Sequence, residues 1–382
     1  MKMPAMKKSL GRVAALAGLP VLLLALGAGL GAGSAAAQPA SGNPPPPKGF
    51  EADSASFVSA QTGFVLGARG CSRLPCRALL EKTVNGGRTW AKVPAPAVQL
   101  VPTYTTSPAS AVSTVRFENA SDGWLLGPAL WATTDGGATW HRMSLPGEVI
   151  ALAASDGEVF AVAQPADGGL YQARLYDSGV GTTTWNLVPG IAPQNALTVF
   201  GHSVWAGVAS GADGGLWTSA DSGKHWSGLP FRCPSGVISA SAVAAASAAR
   251  VAIGCSDQGY PQPGQSIKKV YTSANGGRTF HLAGSPPIAG QVGTLAMPPG
   301  RPQVITMSAA SGATYLYRSA DGGGTWAATV YLDGGLDTRD LAYVSPATGY
   351  VIHFSGGPVI AYTDGLLKTS DAGATWTAVP IP

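Results

Sequence analysis

Asp333, Asp337, Arg339 and Asp340 form the densest acidic stretch of the chain. Two carboxyl groups roughly 5 to 10 Å apart at a pocket can cleave a glycosidic bond, one as acid and the other as base or nucleophile. This stretch is the best place in the chain for such a pair, although a solvated connecting loop is the better-supported reading. Arg69, Arg73 and Arg77 crowd a second short segment. Planar guanidinium groups grip carboxylates and phosphates bidentately, so these three are the candidate binding residues. The plainer alternative is a charged hairpin in water, and charge clusters on loops are usually that.

The four cysteines are Cys71, Cys76, Cys233 and Cys255. No Cys-x-x-Cys and no histidine at zinc-ligand spacing accompany them, so the expectation is no metal and no cofactor. An even number in an exported chain points to disulfides. Cys71 and Cys76 share one loop, which favours the pairs Cys71–Cys76 and Cys233–Cys255, although four cysteines permit three connectivities. His141, His225 and His281 lie in or just after turn motifs, and His202 and His353 stand isolated in sequence. There is no Gly-x-Ser-x-Gly elbow, phosphate loop or dinucleotide fingerprint.

What must position these residues is a repeat. Seven times a polar stretch containing Asp or Asn and glycine runs into an aromatic residue: Asn85 to Trp90, Asp135 to Trp140, Asp177 to Trp185, Asp221 to Trp226, Asn275 to Phe280, Asp321 to Trp326 and Asp371 to Trp376. The copy from Asp177 is read as stretched, reaching its tryptophan through three threonines. The aromatics recur every 41 to 54 residues. Short apolar runs bounded by turn residues precede each copy, among them Gly63 to Gly67, Gly123 to Gly127 and Gly349 to Ile352. A period of this length built from short strands predicts an all-β, seven-bladed β-propeller with four antiparallel strands per blade. In the turn, an Asp or Asn side chain accepts backbone N–H groups, glycine supplies positive φ, and the aromatic fills the gap between sheets. On such a fold the second-to-third-strand loops and the blade-to-blade loops share one face. The unusual loops, Gly67 to Arg77, Cys255 to Lys269 and Ser355 to Gly365, all belong there, as do the four cysteines.

The repeats resemble the BNR or Asp-box motif, Ser/Thr-x-Asp-x-Gly-x-Thr-Trp, of sialidases, sortilin-type receptors and several glycoside hydrolases. The preceding hairpin, as in Asp122-Gly123-Trp124-Leu125-Leu126-Gly127, more closely resembles the propellers of photosystem II assembly factors. The resemblance covers residues 50 to 382 and implies the fold strongly and the function weakly. A sialidase-like site would need a triad of arginines and a carboxylate or tyrosine–glutamate pair. Five aspartates are committed to turns, Arg88 and Arg278 lie in turns on the opposite face, and the Arg-Ile-Pro sequence of that family is absent.

Residues 1–37 read as a signal peptide. Lys2, Lys7, Lys8 and Arg12 precede an apolar run from Val13 to Leu30, and Ala35-Ala36-Ala37 offers a cleavage site. Residues 38–50 read as a Pro-rich linker and 51–382 as the propeller. The whole chain holds 24 basic and 20 acidic side chains; removing the four leader cations leaves 20 of each. Bulk charge therefore supports neither a nucleic-acid partner nor an anionic membrane surface. The expectation is a secreted, periplasmic or cell-envelope monomer without membrane insertion once the signal is removed. It would be a non-catalytic scaffold whose loop face binds a protein or a glycan. The alternative is a sialidase-like glycoside hydrolase with carboxylates at the channel mouth.

Overall fold

A computed structural model describes residues 49–69, 76–100, 110–165, 172–208, 215–231, 233, 242–256, 262–355 and 365–382. The leader, the Pro-rich stretch to Lys48, Cys71 and Arg73 lie outside the described residues. The chain builds seven sheets of four strands, each in simple sequence order. Blade 1 consists of Glu51–Phe57, Gly63–Ala68, Leu79–Thr83 and Ala91–Val93. The same meander recurs through blade 7, with Gly335–Tyr343, Gly349–Ser355, Gly365–Thr369 and Thr377–Val379. A small extra ladder pairs Cys76–Arg77 with Gln99–Leu100. The fold is the all-β, seven-bladed propeller that the repeat predicts.

The glycine that opens the second strand has a steric cause. Phe57 pairs with Gly63, Phe117 with Gly123 and Tyr343 with Gly349. A Cβ on Gly63 would lie 2.2 Å from the Phe57 ring, one on Gly123 2.4 Å from the Phe117 ring, and one on Gly349 2.7 Å from the Tyr343 ring. Glycine thus seats the first-strand aromatic flat against its neighbour. From that seat Phe117 stacks on Phe64 at 3.5 Å and meets the edge of Trp140 at 6.3 Å. Large aromatic faces packed this way dominate the energetics of such walls.

The buried apolar residues fall into seven clusters, one at each junction between neighbouring blades. The core is therefore a ring of walls rather than one central mass. The junction of blades 7 and 1 includes Phe50, fully buried among Tyr350, Ile352 and Ile381, so the propeller begins no later than Phe50. Among the described residues no strand is exchanged there: Glu51 pairs with Ala68 inside blade 1, and Val379 with Leu366 inside blade 7. The ring closes through side chains instead. Phe57 stacks on Tyr350 at 3.5 Å, and the Tyr350 hydroxyl donates to the Ala60 carbonyl at 3.1 Å. Lys368 Nζ donates to the Gly86 carbonyl at 2.9 Å, and Trp90 Nε1 to that of Pro380 at 3.1 Å.

The expectation for the acidic stretch needs correction. The acidic stretch is not a blade-to-blade loop. Asp333 ends the outer strand of blade 6, a tight bend at Gly334 (φ 69°) follows, and Asp337, Arg339 and Asp340 lie within the innermost strand of blade 7.

Candidate functional site

The seven innermost strands enclose a central channel of about 430 Å³. Small side chains recur around its wall, with Ala55, Ala151, Ala196, Ala242, Thr294 and Ala342 contributed by six different blades. Arg116 and Asp340 bring an ion pair to it, at 2.6 Å. Such a wall follows from the inner strands themselves, where neighbouring blades approach most closely and small side chains let the ring close.

Asp340 is tied on several sides. It accepts the Ser54 hydroxyl at 2.6 Å and the Ala55 amide at 2.8 Å, both from blade 1, and pairs with Arg116 of blade 2. Ser54 Oγ in turn accepts the Val115 amide at 3.0 Å, so one hydroxyl links blades 7, 1 and 2. Asp340 reaches this position with φ at 56°, in a bulge where pairing with the second strand shifts between Arg339 and Ala342. Aspartate is among the few side chains that tolerate that backbone region. Beside it, Arg339 donates to Asp53 at 3.1 Å and lies over the Phe354 ring at 4.6 Å. Burial pushes the Asp53 carboxyl up to about 7, with Arg339 opposing and Asp340 reinforcing the rise. Its Oδ2 is buried with no hydrogen-bond partner. Asp53 and Arg339 do not border the channel; Asp340 and Arg116 do.

The arginine cluster is only partly open. Arg69 pairs with Glu81 at 2.5 Å, donates to the carbonyl of Pro382 and stands 5.2 Å over the Phe50 ring. It braces the first blade against the chain's last residue. Arg77 is exposed in its short strand. Cys233 and Cys255 form a disulfide with Cα atoms 5.7 Å apart, within the wall between blades 4 and 5. Cys76 is disulfide-bonded as well.

The turns follow one hydrogen-bond plan in six blades. A buried Ser or Thr hydroxyl accepts the amide four residues on, as Thr133 does from Gly137 and Thr369 from Gly373, both at 2.9 Å. The Asp or Asn two residues on accepts the amide four beyond itself: Asn85 from Thr89, Asp135 from Thr139, Asp221 from His225, Asn275 from Thr279, Asp321 from Thr325 and Asp371 from Thr375. These bonds hold the Asp135 carboxyl down at about 2 and lower those of Asp221 and Asp321 too. The fourth strand starts one residue after each closing aromatic.

Blade 3 departs from the plan. Val159 pairs with Ser178 where blade 4 pairs Val204 with Ser219, so Ser178 is the hydroxyl position and Val180 stands where the aspartate belongs. Asp177 lies inside the third strand, opposite Phe160 and Asn186. Ser178 Oγ and Thr182 Oγ1 bond each other at 2.7 Å, and Ser178 also donates to the Thr184 carbonyl at 2.7 Å. The copy is thus of ordinary length, with hydroxyls in place of a carboxylate.

Two histidines have partners that sequence spacing hid. His202 Nδ1 is 2.9 Å from Ser222 Oγ and 3.6 Å from Asp156, which joins the turns of blades 3 and 4. His353 is buried in blade 7, its Nδ1 without a partner, and burial lowers it to about 4. Among the described residues no group of three or more His, Cys, Asp or Glu could hold a metal ion.

No protein-family model matches the chain, and no curated protein matches it by sequence. Solved structures do match. The BP39L lectin from Burkholderia pseudomallei superposes with a TM-score of 0.52 at 16% identity, covering 87% of this chain and 99% of the lectin. The WD40 repeats of RRP9 give 0.54 at 9% identity, over 84% and 94% of the two chains. YCF48 bound to D1 peptide gives 0.46 at 17% identity, over 69% and 79%. At these identities the likeness is one of fold.

Proposed function

We propose that the chain is an exported, non-catalytic propeller of the Asp-box type that binds a protein or glycan through its loop-bearing face. The observation that carries this reading is the fate of the channel's acidic groups. Asp340, the carboxylate at the channel wall, is spent on Ser54, Ala55 and Arg116, which close the ring. A hydrolase would instead keep two carboxyl groups free on either side of a bound sugar. The six turns with the shared hydroxyl–carboxylate or hydroxyl–carboxamide plan support the Asp-box grouping. A propeller of this fold serves as a lectin, so the scaffold is suited to binding, although fold alone does not choose the ligand.

The glycoside-hydrolase reading draws on one feature, the raised pKa of Asp53, since a carboxyl kept protonated near neutrality is what a general acid needs. Its position away from the channel speaks against that use. The test is turnover of a panel of aryl glycosides, a sialoside included, by the wild type, Asp53→Asn and Asp340→Asn. The scaffold reading expects no turnover by any of them. Wild-type hydrolysis that both substitutions abolish would reinstate the enzyme. Export is checked by N-terminal sequencing of the secreted protein, expected to begin at Gln38.

A further inference from the structure

The outermost strand of a propeller blade presents unpaired backbone N–H and C=O groups to solvent, and natural sheets blunt such edges by keeping them short or charged. Six blades here do so. Their fourth strands are two to four residues long, and those of blades 1 and 2 carry Lys92 and Arg142. Blade 6 does not. Its fourth strand, Ala327–Asp333, runs seven residues and contains neither proline nor a basic side chain. It pairs with Ala313–Ser319 on one side, and among the described residues nothing pairs with the other. A register shift interrupts it near Thr329, but Val330 to Asp333 pair without interruption against Leu316 to Ala313.

The two faces of this edge differ. Val330 and Leu332 are buried in the wall toward blade 7. On the opposite face Tyr331 meets Tyr315 at 5.3 Å, and Tyr315 stacks on Tyr317 at 5.5 Å with rings 8° from parallel. Tyr317 is buried and anchored by its hydroxyl on the Ala289 carbonyl at 3.0 Å, while Tyr315 and Tyr331 remain half-buried. Asp333, two residues from Tyr331 and on the same side of the strand, is exposed.

We propose that this edge takes up an extended segment of a partner protein by β-strand addition. Main-chain bonds to the strand supply affinity and the alternate side chains supply choice. The segment carries an aromatic or large apolar residue beside Tyr331 and a lysine or arginine two residues away, beside Asp333. A second copy of this chain fits less well. Antiparallel pairing about Val330 sets Asp333 against Ala327 and leaves its charge unmatched, and parallel pairing in register sets Asp333 against Asp333, which repels. The site lies on the outer edge of one blade and is independent of the loop-face reading above.

The test is fluorescence anisotropy with a labelled peptide, Ser-Thr-Val-Tyr-Thr-Lys-Val-Thr-Ser, titrated with the secreted chain. Saturable binding is expected, with amide exchange slowed at 327–333. N-methylation of alternate peptide amides should abolish it, because the blocked groups are those the edge would engage. Asp333→Lys, an exposed change, should weaken binding about fivefold or more, and a peptide with Glu in place of Lys should recover it. Four results would overturn the proposal: no saturable binding, equal binding of the N-methylated peptides, indifference to Asp333→Lys, or a concentration-dependent dimer that Tyr331→Lys dissolves.

Discussion

Asp53 and His353 are buried titratable groups with opposite pH signatures. Asp53 holds its proton up to about pH 7 in the fold but only to about 4 when unfolded. The folded state therefore binds more protons between those values, and this group's contribution to stability falls as pH rises from 4 to 7. His353 is neutral in the fold down to about pH 4 and protonates below about 6.5 when unfolded. Its contribution is intact above 6.5 and is lost as pH falls toward 4. Each effect is on the order of 3 kcal/mol, so over the shared window they nearly cancel. The wild type should show a flat thermal midpoint between pH 4 and 6.5. Asp53→Asn should expose a midpoint that rises with pH, and His353→Gln one that falls. The slope is the readout, because any loss of the Arg339 contact shifts the level at every pH alike. Parallel profiles for all three proteins would show that neither burial matters.

The element that repeats is the turn, and its strength resides in the buried hydroxyl more than in the conspicuous aspartate. Thr369 donates to Asp371 at 2.8 Å and accepts the Gly373 amide, with its side chain almost wholly shielded. Thr369→Val keeps the volume but strands that amide, and chemical denaturation should show a loss of about 1 to 3 kcal/mol. Asp177→Asn should change stability by less than about 0.5 kcal/mol, since blade 3 builds its turn without that carboxylate. A loss at Asp177 equal to that at Thr369 would mean the register assignment is wrong. The repeat was readable because glycine, hydroxyl and aromatic recur at fixed offsets, and those offsets are what the turn's hydrogen bonds require. Blade 3 misled because Asp177-Ser178-Gly179 imitates the start of a turn. Strand pairing, Val159 with Ser178, shows that the frame begins at the serine, which stands seven residues before Trp185 just as Ser219 stands seven before Trp226.

For the whole molecule the question is what makes seven similar walls into a ring. Six junctions join blades consecutive in sequence, while the seventh must join residues nearly 300 positions apart, and it carries the Asp53–Arg339 ion pair and the bonds of Asp340. Ser54 with Asp340 and Asp53 with Arg339 are both separated by 286 positions. Nothing local marks such pairs, which is why the fold was legible and the role of the acidic stretch was not. Asp337, Arg339 and Asp340 read as a solvated loop because a bulged inner strand carrying charges has no apolar alternation to reveal it. A stack of blades with only neighbour contacts opens most readily at its weakest junction. Ser54→Ala removes the hydroxyl that bridges blades 7, 1 and 2, takes the acceptor from Val115 N–H and leaves Asp340 Oδ2 with the Ala55 amide alone. The expected cost is about 1 to 3 kcal/mol, and it should be local. Native-state hydrogen exchange should accelerate in Glu51–Phe57, Gly63–Ala68, Gly349–Ser355 and Gly365–Thr369, while Glu158–Gln164 and Leu216–Ser219, across the ring, keep wild-type protection. Uniform acceleration around all seven blades would mean that the ring opens as one unit and that the closing junction is no weaker than the others.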